Sequence, residues 1–241
     1  MTVRDAIPRS WLDLLTAGPI GVGFDIATTD GATSNPASIT VTQDEGTLFE
    51  RLVLSWKTRD EAVATAMVLT VMLDLASLPQ WRVKGLSIDA SNETFFAQHL
   101  VKVIKAALAR LGKSCKFHLI KGGENLTFQG QTLKAKEMLG SLYVNAHTDG
   151  IIATPEAPFL KEDRRLVQRS KGQFITLTGK GGKHGDTFDS GKHARWALLS
   201  SGPAQIEAAG ISDLTLSHRR AWESDAARED AQGSQPQFHA C

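Results

Sequence analysis

Residues 83 to 120, "VKGLSIDASNETFFAQHLVKVIKAALARLGKSCKFHLI", decide the fold. The first part, Val83 to Ile88, is short and apolar and closes on an acid, Asp89. From about Asn92 to Leu111 the period changes. Phe96, Leu100, Val103, Ile104, Ala107, Leu108 and Leu111 fall on one face of a helix, and Gly112 stops it. "CKFHLI", residues 115 to 120, is apolar again. Strand, helix, strand is the unit that makes two parallel neighbours in one sheet, because a parallel crossover needs a connection of this length.

Upstream, strands are expected over Ile20 to Ile26, Ala37 to Thr42 and Leu48 to Trp56. The connections "TTDGATSNP" and "QDEG" are short and rich in turn formers, so these three strands form an antiparallel meander. Thr58 and Glu61 then stand at capping-box spacing ahead of a dense apolar run, which predicts a mostly buried helix. The sheet is therefore mixed, a meander joined to parallel strands.

Downstream the pattern thins. "KGGENLTFQGQ" reads as a loop, and "TLKAKEMLGSLYV" as a helix leading into a strand. "GIIATPEAPFLKEDRRLVQRS" reads as a short strand and a helix with a charged face, and "GQFITLTGKGGKHGD" as a strand and a glycine-rich loop. "TFDSGKHARWALLSS" is a last helix interrupted by Gly191. Beyond Pro203 the chain is polar and charge-mixed. Residues 1–18 are thus expected to be a lead-in, 19–202 one folded domain and 203–241 a disordered tail.

Composition narrows the class without naming a partner. With 241 residues, 41% hydrophobic and 22% charged, the chain is an ordinary globular protein, and a net charge of +1 leaves the argument to local charge. Cys115 and Cys241 are too far apart in sequence to suggest a disulfide framework and have no zinc spacing, which fits a reducing cytoplasm. The longest apolar run, Ala62 to Leu73, falls short of the ~20 residues a membrane span needs. "MTVRDAIPRSW" lacks the apolar core of a signal peptide, so no membrane partner is expected.

Two strands end in acids. Asp25 closes the first, in "GVGFDIATTDGATSNPASITVTQ", residues 21 to 43. A carboxylate on a central strand is costly unless something cationic meets it. If the strands carrying Asp25 and Asp89 are neighbours, the two carboxylates lie about one strand spacing apart, ~4.8 Å. A divalent cation between them resolves the repulsion, and oxygen-only ligands select Mg²⁺ or Mn²⁺ over zinc. Two ions ~3.5–4 Å apart need more than two carboxylates. Asp186 opens the last helix, and Asp189 projects from nearly the same face. An acid at a helix N-terminus is also a good cap, and both readings of Asp186 stand open.

Three blocks in order resemble one family. "GFDIATTD...NPASITV", "LSIDASNETFFAQHL" and "APFLKEDRRLVQRSKGQF...GKGGKHGDTFDSGKHARWAL" resemble the C-terminal nuclease domain of the large terminase subunit of tailed bacteriophages, over about Ile20 to Ser200. That resemblance implies a ribonuclease H-like α/β fold, a mixed sheet flanked by helices. It also implies a metal-dependent endonuclease that cuts concatemeric double-stranded viral DNA. Carried over by position, Asp25, Asp89 and Asp186 take the ligand roles for two Mg²⁺ or Mn²⁺ ions, with Asp189 a fourth or substitute ligand. One ion, on Asp25 and Asp186, activates water; the other, on Asp25 and Asp89, stabilises the leaving oxygen. The implied partners are an ATPase motor domain or subunit, a portal and a small terminase subunit, and the implied location is the host cytoplasm. The sequence departs from the full terminase in lacking a G-x-x-x-x-G-K-[ST] loop, since "GKGGKHG" has neither the spacing nor the hydroxyl. An isolated nuclease domain, or one product of a divided motor, is therefore expected.

Between Lys161 and Arg195 there are nine Lys or Arg against four Asp or Glu, in a chain otherwise near neutrality. Arg164, Arg165, Arg169 and Lys171, with Lys180, Lys183 and His184 in the glycine-rich loop, are candidate DNA phosphate contacts; a solvated helix face is the plainer alternative. Glu93, one turn past Asp89, is read as complementing a helix N-terminus rather than as a ligand. Trp56, Trp81 and Trp196 are read as packing residues, and Cys115 as a small core residue. Other ribonuclease H-like nucleases (junction resolvases, transposase or integrase cores) share the same logic of acids. "GFDIATTDGATS" also resembles the first phosphate loop of sugar kinases and actin-like proteins, although 241 residues is short for their two lobes. A non-catalytic DNA-binding module is the remaining alternative.

Overall fold

The computed structural model describes residues 3–7, 9–28, 35–179 and 182–200; the expected tail, 203–241, and Lys180 lie outside them. The lead-in carries a short helix, α1 (Val3–Ala6), and a 3-10 turn, Arg9–Leu14. It is part of the fold, since Ile7 and Trp11 are buried in the main core and Arg4 pairs with Asp74 at 2.7 Å.

The meander forms as expected, with β1 (Ile20–Asp25), β2 (Ala37–Asp44) and β3 (Leu48–Trp56) antiparallel in turn. Helix α2 (Glu61–Ala76) follows, but its cap differs from the capping box. Asp60 is the N-cap, accepting from the Ala62 amide at 2.8 Å, while the Thr58 hydroxyl accepts from the Asp60 amide. The deciding stretch becomes β4 (Val83–Asp89), α3 (Thr94–Arg110) and β5 (Lys116–Ile120), with β4 parallel to both β1 and β5.

Two polar hairpins form where the sequence predicts only one strand of the four, that in "GQFITLTGKGGKHGD". "KGGENLTFQGQ" is not a plain loop: β6 (Asn125–Phe128) and β7 (Gln131–Lys134) pair across a Gln129-Gly130 turn with positive φ at both residues. The next segment stays helical as α4 (Ala135–Thr148), so the strand expected around Tyr143 does not form. β8 (Ile152–Ala153) adds to the edge of β3, and α5 (Pro158–Arg164) is short. The residues read as its continuation instead form β9 (Val167–Ser170), which pairs with β10 (Gln173–Thr176). The last helix, α6 (Asp186–Leu199), is as expected.

The main sheet has the order β5-β4-β1-β2-β3-β8. A three-strand antiparallel meander joined to parallel strands and flanked by helices makes a mixed α/β sheet, as expected. Its two faces differ in chemistry because side chains alternate along each strand. One face presents Ile20, Val22, Phe24, Ile39, Val41, Leu86 and Ile88 to the apolar sides of α2 and α3. The other carries Gly21 and Gly23 on β1, Ser38, Thr40 and Thr42 on β2, and Ser87 on β4. Small residues let α6 descend onto this face almost backbone to backbone. A Cβ on Gly23 would sit 2.0 Å from the Ser190 carbonyl oxygen, and one on Gly21 2.3 Å from that of Ala194. Hydroxyls stitch the contact, with Ser190 Oγ 2.7 Å from Thr40 Oγ1 and 2.9 Å from Ser38 Oγ. Gly191, a flaw by helix propensity, is required here, because a Cβ would lie 2.4 Å from the Tyr143 hydroxyl.

Candidate active site

Asp25 and Asp89 are register partners at the carboxyl ends of adjacent parallel strands. Parallel register partners point to the same face, and here it is the face that α6 covers. The descent of α6 brings its first turn, with Asp186 and Asp189, to the same place. Asp25, Asp89, Asp186 and Asp189 line one cleft of about 210 Å³, with Ile26, Asn35, Asn92, Thr176 and His184 around them. The sequence predicted all four acids, and the fold gathers them from three elements.

Whether Asp186 is a cap has a structural answer. The N-cap position of α6 is Gly185, and the free amides of the first turn are met from outside by Asp163, which ends in α5. Asp163 accepts from the amides of Gly185 at 3.1 Å and Thr187 at 2.8 Å, and from the Thr187 hydroxyl at 2.6 Å. With that work done by Asp163, the Asp186 carboxylate, 2% exposed, accepts from the His184 amide at 3.2 Å and from its own backbone amide, and lines the cleft.

Crowding of acids shows in their protonation. Burial pushes Asp25 well above the ordinary carboxylate range, and Asp189, Asp89 and Asp186 add to it, against a smaller pull from Lys192. Burial also lifts Asp186 to about 7, with smaller additions from Asp163 and Asp189, against the pull of the His184 and Asp186 backbone amides. For Asp89 burial acts upward too, but His193 and Lys192 outweigh it and hold the group below its usual value. His193, buried at 1% exposure, sits with Nε2 3.8 Å from Asp89 Oδ2 and with Nδ1 2.8 Å from the Ser87 hydroxyl. Lys192 bonds Asp189 Oδ1 and is 5% exposed. Neither Lys192 nor His193 was singled out from the sequence. A lysine three residues after an aspartate reads there as an ordinary surface pair, and only the close seating of α6 turns it inward.

Four carboxylates, three of which act on the Lys192 ammonium, make an oxygen-rich, under-neutralised cleft, which fits a hard divalent ion. Among the described residues, no three His, Cys, Asp or Glu side chains already converge on one point as a finished metal centre would.

The predicted phosphate contacts divide. Arg164 is not a surface cation: its side chain is 14% exposed and pairs with the buried Glu50 at 2.9 Å, beneath Tyr143, which donates to the same carboxylate. Its physical role is to neutralise Glu50, which leaves it out of the DNA-gripping set. Arg165, Arg169 and Lys171 are exposed, the last two on the β9–β10 hairpin whose Thr176 end lines the cleft. Lys183 pairs with Glu162 at 3.1 Å, and His184 is half-buried in the cleft wall. Glu93 does not line the cleft. It receives the Thr28 amide and hydroxyl at 3.0 and 2.9 Å, tying down the exit from β1. Trp56 stacks on Phe24 and Trp196 packs edge-on against Phe128, both packing roles as expected. Cys115 is only half-buried, and its thiol is pushed by burial to about 12.

No family model matches the chain, and no curated protein matches it. Among solved structures, it is similar to a Mn-soaked human cytomegalovirus terminase nuclease domain, at 11% identity and TM-score 0.45, over 83% of this chain and 95% of that one. A second structure of the human cytomegalovirus domain, Mn-soaked with an inhibitor bound, is similar at 10% identity and TM-score 0.38, over 61% and 72%. No described helix is long and apolar enough to cross a membrane.

Proposed function

We propose that this chain is a divalent-metal-dependent DNA endonuclease of the terminase-nuclease type, cutting double-stranded viral DNA by phosphodiester hydrolysis. The observation that carries the reading is the convergence of Asp25 and Asp89, in register on adjacent strands, with Asp186 and Asp189 from the first turn of α6. Asp25 with Asp186 would hold one Mg²⁺ or Mn²⁺ and Asp25 with Asp89 a second, with Asp189 as a further ligand. Bound there, such ions supply Lewis acidity at the phosphate and lower the pKa of water. The chain's own residues do the rest. His193 and Ser87 fix the orientation of Asp89, and Asp163 fixes the helix turn that carries Asp186 and Asp189. His184, at the cleft wall, is placed to donate to a phosphate oxygen, and Arg165, Arg169 and Lys171 neutralise the backbone on either side of the cut. Assignment to the tailed-bacteriophage branch, and to a motor, portal and small subunit as partners in the host cytoplasm, rests on the three sequence blocks.

The test is cleavage of supercoiled plasmid. Mn²⁺ should support nicking and linearisation and Ca²⁺ should not. Asp25→Asn, Asp89→Asn and Asp186→Asn should each abolish cleavage while the folded state persists. Activity that survives all three substitutions, or that is undiminished in EDTA, rejects the proposal.

A further inference from the structure

We infer that Lys192 is an internal competitor for one of the two ion positions, so that the DNA-free protein loads a single divalent ion and admits a second only when Lys192 withdraws. The inference rests on the metal-site reading above and concerns how that site fills.

The grounds are placement and charge. Lys192 lies on α6 one turn beyond Asp189 and donates to Asp189 Oδ1. Asp89 and Asp25 also attract its ammonium. An ion pair between residues three apart on a surface helix would leave the lysine head in water, whereas Lys192 is 5% exposed. Its neighbours on the helix are committed elsewhere. Ser190 bonds Thr40, Gly191 meets Tyr143, and His193 bonds Ser87, so the rotation of α6 about its axis is fixed and Lys192 is held toward the acids.

Electrostatics gives this placement its consequence. A buried ammonium bonds carboxylate oxygens at ~2.7–2.9 Å, and a Mg²⁺-sized ion at ~2.0–2.1 Å, so the two compete for the same oxygens and repel each other when adjacent. Asp189 holds the ammonium directly, and the attraction of Asp89 exceeds that of Asp25. The side it guards is therefore that of Asp89 and Asp189. The flexible four-carbon stem lets the head leave without moving the helix.

Mn²⁺ titration of the full chain, read by electron paramagnetic resonance of the free ion, tests this without any cleavage assay. Expected are one Mn²⁺ per chain for the parent and for Lys192→Arg, and two for Lys192→Met, with melting curves confirming folded protein. Two ions of comparable affinity in the parent, or a single ion still in folded Lys192→Met, overturns the inference and leaves the metal site standing. Failure of every variant to bind Mn²⁺ overturns the metal-site reading itself, and this inference with it. Should Lys192→Met not fold, the parent's stoichiometry decides alone.

Discussion

Replacing Gly23 by alanine tests whether the seating of α6 builds the site. The added Cβ would stand 2.0 Å from the Ser190 carbonyl oxygen and 2.2 Å from the Ala194 amide nitrogen, where ordinary contact begins at 3.4 Å. Both obstacles are backbone, so no rotamer change relieves them and the helix must retreat by about 1 Å or more. Overpacking of this kind costs ~1–3 kcal/mol, which for a domain of this size lowers Tm by roughly 2–12 °C. Asp186 and Asp189 retreat with the helix, and a displacement of ~1 Å costs about 100-fold in rate. Val22→Ala is the control, because it truncates the adjacent residue on the opposite, oily face and leaves α6 seated. The measurements are thermal melts and initial rates of Mn²⁺-dependent plasmid cleavage. Gly23→Ala should lose far more rate than Val22→Ala at a similar loss of Tm. An alanine variant as stable and as active as its parent would falsify the claim that backbone contact between β1 and α6 positions the acids.

Other expectations concern charge. Asp186 titrates at about 7 in the folded protein against an ordinary 3.8, so between those values the native state holds a proton that the unfolded chain has released. Its stabilising contribution is full below about pH 4 and is lost as pH rises through about 7, a change of up to ~4 kcal/mol. Urea melts of the metal-free protein at pH 5 and pH 8 should show this loss, and Asp186→Asn should remove it. Asp163→Ala strips the cap from α6 and should cost ~1–2 kcal/mol in the same melts, with cleavage reduced as well. Arg169→Ala and Lys171→Ala should each flatten the log–log salt dependence of DNA binding, measured by fluorescence anisotropy, by about one unit. Arg164→Ala should instead destabilise the fold by ~3–5 kcal/mol by stranding the buried Glu50.

The sheet was legible because its signals are local and strong. "QDEG" forces a hairpin between β2 and β3, and the change of period after Asp89 forces a crossover. Those two facts allow, without forcing, the adjacency of β1 and β4 that sets Asp25 opposite Asp89. The β6–β7 hairpin and strand β9 were missed because these strands are four residues each and largely exposed, so no alternation of oil and water marks them, whereas β10 was read as a strand. Arg164 was misread because the Arg164-Arg165 pair looks like a uniformly wet helix face. A clue existed on β3, where Glu50 interrupts an apolar run just as Asp25 does on β1, and an acid there asks for a cation. Lys192, His193 and Asp163 escaped because their roles arise only when α6 lies on the sheet. Nothing within three or four residues of them encodes that approach.

The acids that define the cleft enter the chain at positions 25, 89, 186 and 189, the last two on the final helix described. Shortening the polypeptide ahead of Gly185 would spare the greasy side of the sheet, with both of its covering helices, yet remove half of the carboxylates from the other side. The four-acid cleft is thus completed only by the landing of α6 on a bed of glycine, serine and threonine.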